Sequence, residues 1–414
     1  MFQHRSSSFH GARSRLPARL LRLACLAVPL VLGACSSPDA RQLVADAPTF
    51  FDDASFKPST EPIDPADVFK LTPAMQDYIE SEILPLSRSK GLTSALTEAL
   101  YTRSKLQLEY EASMTRNAAE AFDARKGNCL SLVIMTGAFA KAMGLTVTFQ
   151  QATIDEMWSR SGDMYFMSGH VNLQLDRPFS ETMSRVDRFR TFTIDFLPQP
   201  ETAGLRVHPI HENTVLAMYL NNRAAEALVA GQIDNAYWRA REAVRLDPKF
   251  LSAYNPLAVI YMRHGDAARA ETVLHAALTL APANPRMLAN DAQSLRRLGR
   301  VAEADAVDKR LAVVEPYPPF YFYNRGEAAL KANDFATART MFMREIDREP
   351  DYHEFHYALA VADFGLGRVD EARSELAIAL ENSVKRTDHD LYAAKLDKLK
   401  SYRQVTLPAL PTVQ

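Results

Sequence analysis

A spacing of 34 residues between prolines is the feature that most constrains how this 414-residue chain can fold. The prolines at this interval are Pro248, Pro282, Pro316 and Pro350. An alanine lies twelve residues before each of them, and a glycine lies seventeen residues before the first three. A fifth unit keeps Gly367 and Ala372 but has Val384 in place of the proline. A fixed period of this length indicates stacked copies of one small structural unit.

Each of the three recurring residues has a role in a pair of helices. The glycine permits the turn between them, the alanine lets them approach closely, and the proline ends the second helix. The pattern resembles tetratricopeptide repeats, which implies an all-α solenoid of five repeats over residues 213–386 that binds a protein or peptide. We expect a capping helix with a polar outer face over residues 387–404 and a tail over 405–414.

The N-terminus predicts a processing signal over residues 1–34. It holds five arginines and no acid, followed by an apolar run that is too short to span a bilayer. The run ends in Leu32-Gly33-Ala34-Cys35, which resembles a bacterial lipoprotein lipobox and implies cleavage before Cys35 and lipid attachment to it. The alternative is an ordinary cleaved signal with a chance cysteine. Because Ser36 follows the cysteine, the resemblance implies an envelope protein on the outer membrane, facing the periplasm. We expect residues 35–62 to form a tether that lies partly on the next domain.

Charge argues against some partners. Without the signal the chain has 43 basic and 50 acidic residues, a net charge of −7. An acidic exported protein is a poor candidate for binding nucleic acid or anionic headgroups. The sequence implies no metal, nucleotide or redox cofactor.

The residues between tether and repeats predict an α+β domain over 63–212. Helical periodicity covers 65–122, including an amphipathic stretch from Leu92 to Leu108. A helix of small and apolar residues then starts at Cys129 and ends before Gly144. Alternating segments predict strands over 145–151, 170–175 and 189–196.

Cys129 is the only free thiol that remains in the mature chain. Cys25 leaves with the signal and Cys35 carries lipid, so Cys129 has no disulfide partner within the chain. At the start of a helix it meets the positive end of the dipole and unpaired N–H groups. Both favour the thiolate, and the same N–H groups can receive an oxyanion. The thiol is therefore either a reactive group or a buried inert one.

Three segments resemble the transglutaminase-like cysteine enzymes, a branch of the papain-like fold, over roughly residues 95–200. They are Gly127-Asn128-Cys129, Ser168-Gly169-His170-Val171-Asn172 and Thr193-Ile194-Asp195-Phe196. The resemblance implies that Cys129 is the nucleophile, that His170 moves its proton and that Asp195 orients the imidazole. Taken one by one, they could instead be a core cysteine, a strand-capping histidine and a turn aspartate. Candidates for a further oxyanion donor are Gln150, Gln151 and Trp158.

Two other clusters have simpler interpretations. His208 and His211 lack further metal ligands nearby, and Pro209 disfavours a regular element, so we expect a linker there.

Tyr317 to Tyr323 is an aromatic run at a repeat junction, where Phe322 fits a packing position. Phe320 and Tyr323 could line a peptide-binding groove, although packing is the favoured interpretation.

These observations predict an anchored thiol enzyme that transfers an acyl group from an amide or peptide through a thioester. With water as acceptor it is a peptidase or amidase, which the resemblance favours. With an amine as acceptor it is a transglutaminase. The alternative is a catalytically silent outer-membrane scaffold that works through its repeats.

Overall fold

The computed structural model describes residues 40–101, 106, 108–111, 114–161, 164–176, 192–196, 206–383 and 386–401. The predicted signal and Cys35 lie outside these residues. Within the described part, no helix combines the length and apolar character needed to cross a bilayer.

Six α-helices of the described residues precede the four-stranded sheet. Thr72 caps α2 by accepting a hydrogen bond from the Met75 N–H, and Pro73 occupies its first turn. A π-helical turn, Ile79–Ile83, joins α2 to α3. The helices before the sheet are α1 (Ala40–Asp46), α2 (Pro73–Tyr78), α3 (Leu84–Lys90), α4 (Leu92–Tyr101), α5 (Ala118–Ala124) and α6 (Cys129–Ala142). The predicted helix through Leu108 is wrong at its end, because α4 stops at Tyr101 and a short strand follows at Glu109.

An antiparallel sheet follows α6. Its strands are β3 (Thr146–Ser161), β4 (Met164–Asp176), β5 (Phe192–Ile194) and β6 (Arg206–Ile210), in the order β5-β4-β3-β6. A separate two-stranded parallel ladder joins β1 (Glu109–Tyr110) to β2 (Lys126–Gly127). The predicted combination of helices and an antiparallel sheet is confirmed at this level. Part of the predicted third strand, residues 189–191, lies outside the described residues.

The expectation of a linker at His208 and Pro209 is wrong. Both residues lie in β6, where Pro209 is paired with Gln150 of β3. β6 is an edge strand, so the N–H that proline lacks is not needed by a second neighbour. The loss of one donor is therefore tolerated there.

Ten helices in five consecutive pairs form the repeat region. They are α7 (Glu212–Val229), α8 (Ile233–Leu246), α9 (Tyr254–His264), α10 (Ala267–Leu280), α11 (Pro285–Arg297), α12 (Val301–Val314), α13 (Tyr321–Lys331), α14 (Phe335–Ile346), α15 (His353–Gly365) and α16 (Val369–Glu381). A last helix, α17 (Arg386–Ser401), packs on α16. The residue types that set the period behave as predicted: the five alanines are fully buried and the turn glycines have positive φ. In the fourth pair Asn333 replaces the glycine and adopts φ 58°, a conformation that asparagine tolerates.

The segment before the α+β region packs on the repeats. Phe56 stacks on Tyr237 of α8 with ring centroids 3.8 Å apart and planes 3° apart. The Tyr261 hydroxyl donates to the Phe50 carbonyl at 2.7 Å, and Arg241 binds Asp53 through two bonds of 2.9 Å. Residues 50–61 thus form a strap across helices of the first two repeats.

The hydrophobic core divides inside the repeat array. One cluster joins the strap, the α+β region and the repeats as far as α12, and separate clusters serve α13–α17. Among successive helices described from α7 to α17, packing is weakest between α12 and α13. Val313 is 83% exposed there. Phe320, offered above for a groove, is fully buried against Phe355 and is therefore a packing residue.

Candidate thiol site

The candidate nucleophile is the first residue of α6. Asn128 is its N-cap, and the Asn128 side-chain oxygen accepts a hydrogen bond from the Ser131 N–H at 2.9 Å. Gly127 is required just before it, because a Cβ at that position would lie 2.6 Å from the Ser131 Cβ. The helix is buried almost throughout, and Cys129 itself is 4% exposed.

His170 and Asp195 come from neighbouring strands. His170 lies on β4 opposite Ala152 of β3, and Asp195 directly follows β5, which pairs with β4 through Leu173 and Ile194. The Nε2 atom of His170 lies 2.7 Å from Oδ1 and 2.8 Å from Oδ2 of Asp195. The sheet therefore brings the two predicted residues into direct contact.

The second nitrogen of the imidazole, Nδ1, is not bound by Asp195. His170 is fully buried, and its Nδ1 has no hydrogen-bond partner of ordinary geometry among the described residues. The Cys129 thiol is nevertheless close enough to affect the proton affinity of the ring. In resting enzymes such hydrogen bonds are often long and tighten only when substrate binds.

The charges around His170 favour its protonated form. Burial alone would lower the pKa of the imidazole, but Asp195 and Cys129 outweigh it and raise the pKa from 6.5 to about 9. The ring is therefore an imidazolium at neutral pH.

Asn172 is a site residue that was not singled out from the sequence. Its side-chain nitrogen donates to Oδ2 of Asp195 at 2.9 Å, and the residue is 3% exposed. His170 and Asn172 are two residues apart on one strand and so share a face of the sheet. The alternation of side chains along the strand could therefore have identified Asn172 from the sequence. Asn172 fixes the carboxylate that holds the imidazole.

The three candidates for a further oxyanion donor lie at different positions along β3. Gln150 is 8% exposed, and its amide nitrogen lies 3.5 Å from the Gln174 oxygen. Gln151 is half-buried on the same strand. Trp158 lies further along β3, and its side chain is outside the described part. At the start of α6, the Asn128 side chain accepts from the N–H of Ser131, while the N–H groups of Cys129 and Leu130 are first-turn donors that have no acceptor within the helix.

Metal ligands do not gather at this site. In the described part of the chain, no group of three or more His, Cys, Asp or Glu residues could hold a metal ion. His208 lies on β6 and His211 caps α7 without a side-chain bond.

Comparison with known proteins identifies tetratricopeptide repeats at residues 221–285, 255–318 and 323–383. The predicted repeat family is confirmed for this region. No curated protein matches the chain significantly.

Solved structures similar to this chain are repeat proteins. A thermophilic tetratricopeptide-repeat protein of Thermus thermophilus is 21% identical over 44% of this chain and 98% of its own, with a TM-score of 0.28. PilF of Pseudomonas aeruginosa is 19% identical over 44% of this chain and 84% of its own, with a TM-score of 0.28. YrrB, a repeat protein with an unusual peptide-binding site, is 17% identical over 43% of this chain and 92% of its own, with a TM-score of 0.24.

Proposed function

We propose that the repeat region is a scaffold that binds a protein partner, and that the α+β region adds thiol chemistry to it. The repeat family supports the first part, since solenoids of stacked helix pairs present extended surfaces to proteins. The first helices of the first three repeats, α7, α9 and α11, pack side by side. Asn290 of α11 donates to Asn255 of α9 at 2.8 Å along this row. We propose this row as the docking face.

Substitution of that row tests the scaffold. A partner cross-linked to the full mature chain in envelope preparations should be recovered equally by a Cys129→Ala variant and weakly by Asn255→Leu with Asn290→Leu. Glu303→Gln on α12, an exposed carboxylate of another face, is the matched control. Equal recovery by all variants would refute this docking face.

A catalytic function is supported by one observation above all. A fully buried imidazole lies 2.7 Å from a carboxylate, and the only cysteine thiol in the described residues is close enough to affect its proton affinity. This is the arrangement that activates a thiol for nucleophilic attack. We propose that Cys129, His170 and Asp195 form a catalytic triad of the transglutaminase-like, papain-fold kind.

The proposed reaction is acyl transfer in two steps. The Cys129 thiolate attacks the carbonyl carbon of an amide, forming the carbon–sulfur bond, and the N–H groups at the start of α6 receive the negative oxygen. His170 then gives its Nδ1 proton to the leaving amine as the carbon–nitrogen bond breaks, which leaves a thioester. Water, activated by the neutral imidazole, hydrolyses it in a peptidase or amidase, and an amine acceptor would give a transglutaminase.

The silent scaffold is the second candidate, and one observation favours it. Cys129 is 4% exposed and His170 is fully buried, so a polypeptide substrate reaches the sulfur only if the surrounding chain moves. A structural role for the thiol needs no such movement.

Alkylation and trapping distinguish the two candidates. We expect iodoacetamide to alkylate Cys129 at pH 6 in the mature protein, and envelope peptides to form an adduct that hydroxylamine releases. Adducts should be absent from Cys129→Ala and accumulate poorly in His170→Ala. A native thiol that resists alkylation at pH 6 and forms no adduct would establish the silent scaffold instead.

We also propose that lipid at Cys35 anchors the protein to the outer membrane facing the periplasm. The support is the lipobox pattern and the basic, apolar segment before it. Labelled palmitate should be incorporated into the wild type and not into Cys35→Ser. Equal labelling of both would refute this anchor.

A further inference from the structure

We propose that the first repeat helix positions the Cys129 thiol, by clamping the segment that holds the start of α6. Thr115 and Glu226 are the positioning residues. This inference rests on the proposed thiol chemistry and adds a link between that chemistry and the repeats.

The clamp is formed by two side chains of α7 on one peptide segment. Glu226 Oε1 accepts a hydrogen bond from the Thr115 N–H at 2.7 Å. The Arg223 guanidinium lies 3.4 Å from the Thr115 carbonyl oxygen and 3.0 Å from Glu226 Oε2. Both polar groups of the Thr115 backbone are thus bound by the repeat helix, 108 and 111 residues away in sequence.

The clamped segment in turn holds the cap of the thiol helix. The Asn128 side-chain nitrogen donates to the Thr115 hydroxyl at 2.9 Å, while its oxygen accepts from the Ser131 N–H and hydroxyl. The Arg116 N–H donates to the Ser131 hydroxyl at 2.8 Å. Two adjacent residues therefore fix both ends of the first turn of α6, with Cys129 between them.

Burial makes this chain of contacts stiff. Thr115 is 1% exposed and Ser131 is fully buried, so neither can exchange its protein partner for water. Burial raises the pKa of Glu226, and the Thr115 N–H and Arg223 offset part of that cost. Without the Thr115 hydroxyl, the Asn128 amide loses the bond that sets its orientation toward Ser131. The N–H groups beside the thiol would then be less well ordered.

The test is the pH dependence of Cys129 alkylation by iodoacetamide in the full mature protein, between pH 5 and pH 10. Thr115→Val removes the hydroxyl and keeps the shape, whereas Thr115→Ser keeps the hydroxyl. Glu226→Met on the repeat helix, which removes the acceptor of the Thr115 N–H and keeps the length of the side chain, is the second variant, in case the buried valine prevents folding. Glu303→Gln is the matched control, and thermal unfolding checks that each variant is folded.

We expect Thr115→Val and Glu226→Met to slow alkylation at pH 6 about fivefold and to move the midpoint of the profile to higher pH, the size expected for a weakened helix cap. Thr115→Ser and Glu303→Gln should stay within about twofold of the wild type. If the wild type is alkylated at pH 6 and both test variants match it, the positioning role is refuted and the thiol chemistry stands. If the wild type itself is inert at pH 6, the proposed thiol chemistry fails and this inference falls with it.

Discussion

Replacing Asp195 with Asn should remove the proton from His170 at neutral pH. The amide of Asn has the shape of the carboxylate but not its charge, so burial of the ring is no longer outweighed. We expect the pKa of His170 to fall from about 9 to about 6.5 or below. Asp176→Asn is the matched control, because Asp176 lies at the exposed end of β4, the strand that carries His170.

The size of the effect follows from the raised pKa of His170. A pKa of about 9 instead of 6.5 corresponds to a preference of up to about 3 kcal/mol for the charged ring in the folded protein. Since the folded pKa lies above the unfolded one, this stabilisation is fully present below pH 6.5 and is lost as the pH rises through 9. The free energy of unfolding should therefore differ most between wild type and variant at pH 6, and the difference should shrink toward pH 10.

Two measurements check this expectation. The Cε1–H resonances of the histidines, followed by NMR between pH 5 and pH 10.5 and assigned with His170→Gln, give the pKa of the ring directly. Denaturant unfolding at pH 6 and pH 10 gives the change in stability. A wild-type ring that titrates near 6.5, or a variant that keeps the wild-type pKa, would show that the carboxylate does not hold the proton. The thiol would then have no imidazolium beside it to favour its ionised form.

Three further expectations concern other parts of the fold. Gly127→Ala should lower the free energy of unfolding by about 1–3 kcal/mol, because the new Cβ meets the Ser131 Cβ at 2.6 Å; unchanged denaturant unfolding would contradict the close approach. Phe56→Ala should lower the free energy of unfolding by about 3–5 kcal/mol, because Phe56 is 5% exposed and stacks on Tyr237. Phe51 is half-buried, so Phe51→Ala should lower it by less. Equal effects of the two variants would show that the strap adds little stability. Within the repeats from α7 to α16, limited proteolysis should cut first between residues 314 and 320, where the core divides. A first cut inside α9 or α10 would contradict that division.

The parts of the fold that sequence could predict depend on neighbours along the chain. The start of α6 follows from Asn128 and the small-residue helix after it, and the alanine and glycine positions follow from the repeat period. The pairing of His170 with Asp195 needed more, namely a resemblance that supplied the order of the strands. Asn172 could have been predicted from the sequence, since it shares a face of β4 with His170.

The parts that sequence missed depend on contacts between distant segments. Thr115 meets Glu226 across 111 residues, and no local pattern marks either residue. Proline disrupts central strands, which argues against a strand at Pro209, yet this residue lies at a sheet edge where the penalty is small. The contacts of residues 50–61 with the repeats are also long-range, because the aromatic and acidic side chains of this segment match tyrosines and arginines far along the chain.

The division of the core lies inside the repeat array and not at the junction between the α+β region and the repeats. Helix α7 is the first repeat helix, yet it packs on α6 and β3 and shares one core with them. An ion pair between Lys141 of α6 and Glu212 of α7 crosses the same junction. Because α7 also contacts Thr115, the first three repeats share one packed core with the thiol site, while α13–α17 have separate core clusters beyond the weakly packed residues 314–320. We expect a partner bound to the last two repeats to leave the surroundings of Cys129 unchanged, because the two regions share no core cluster. A partner that displaces α7 has to disturb the thiol.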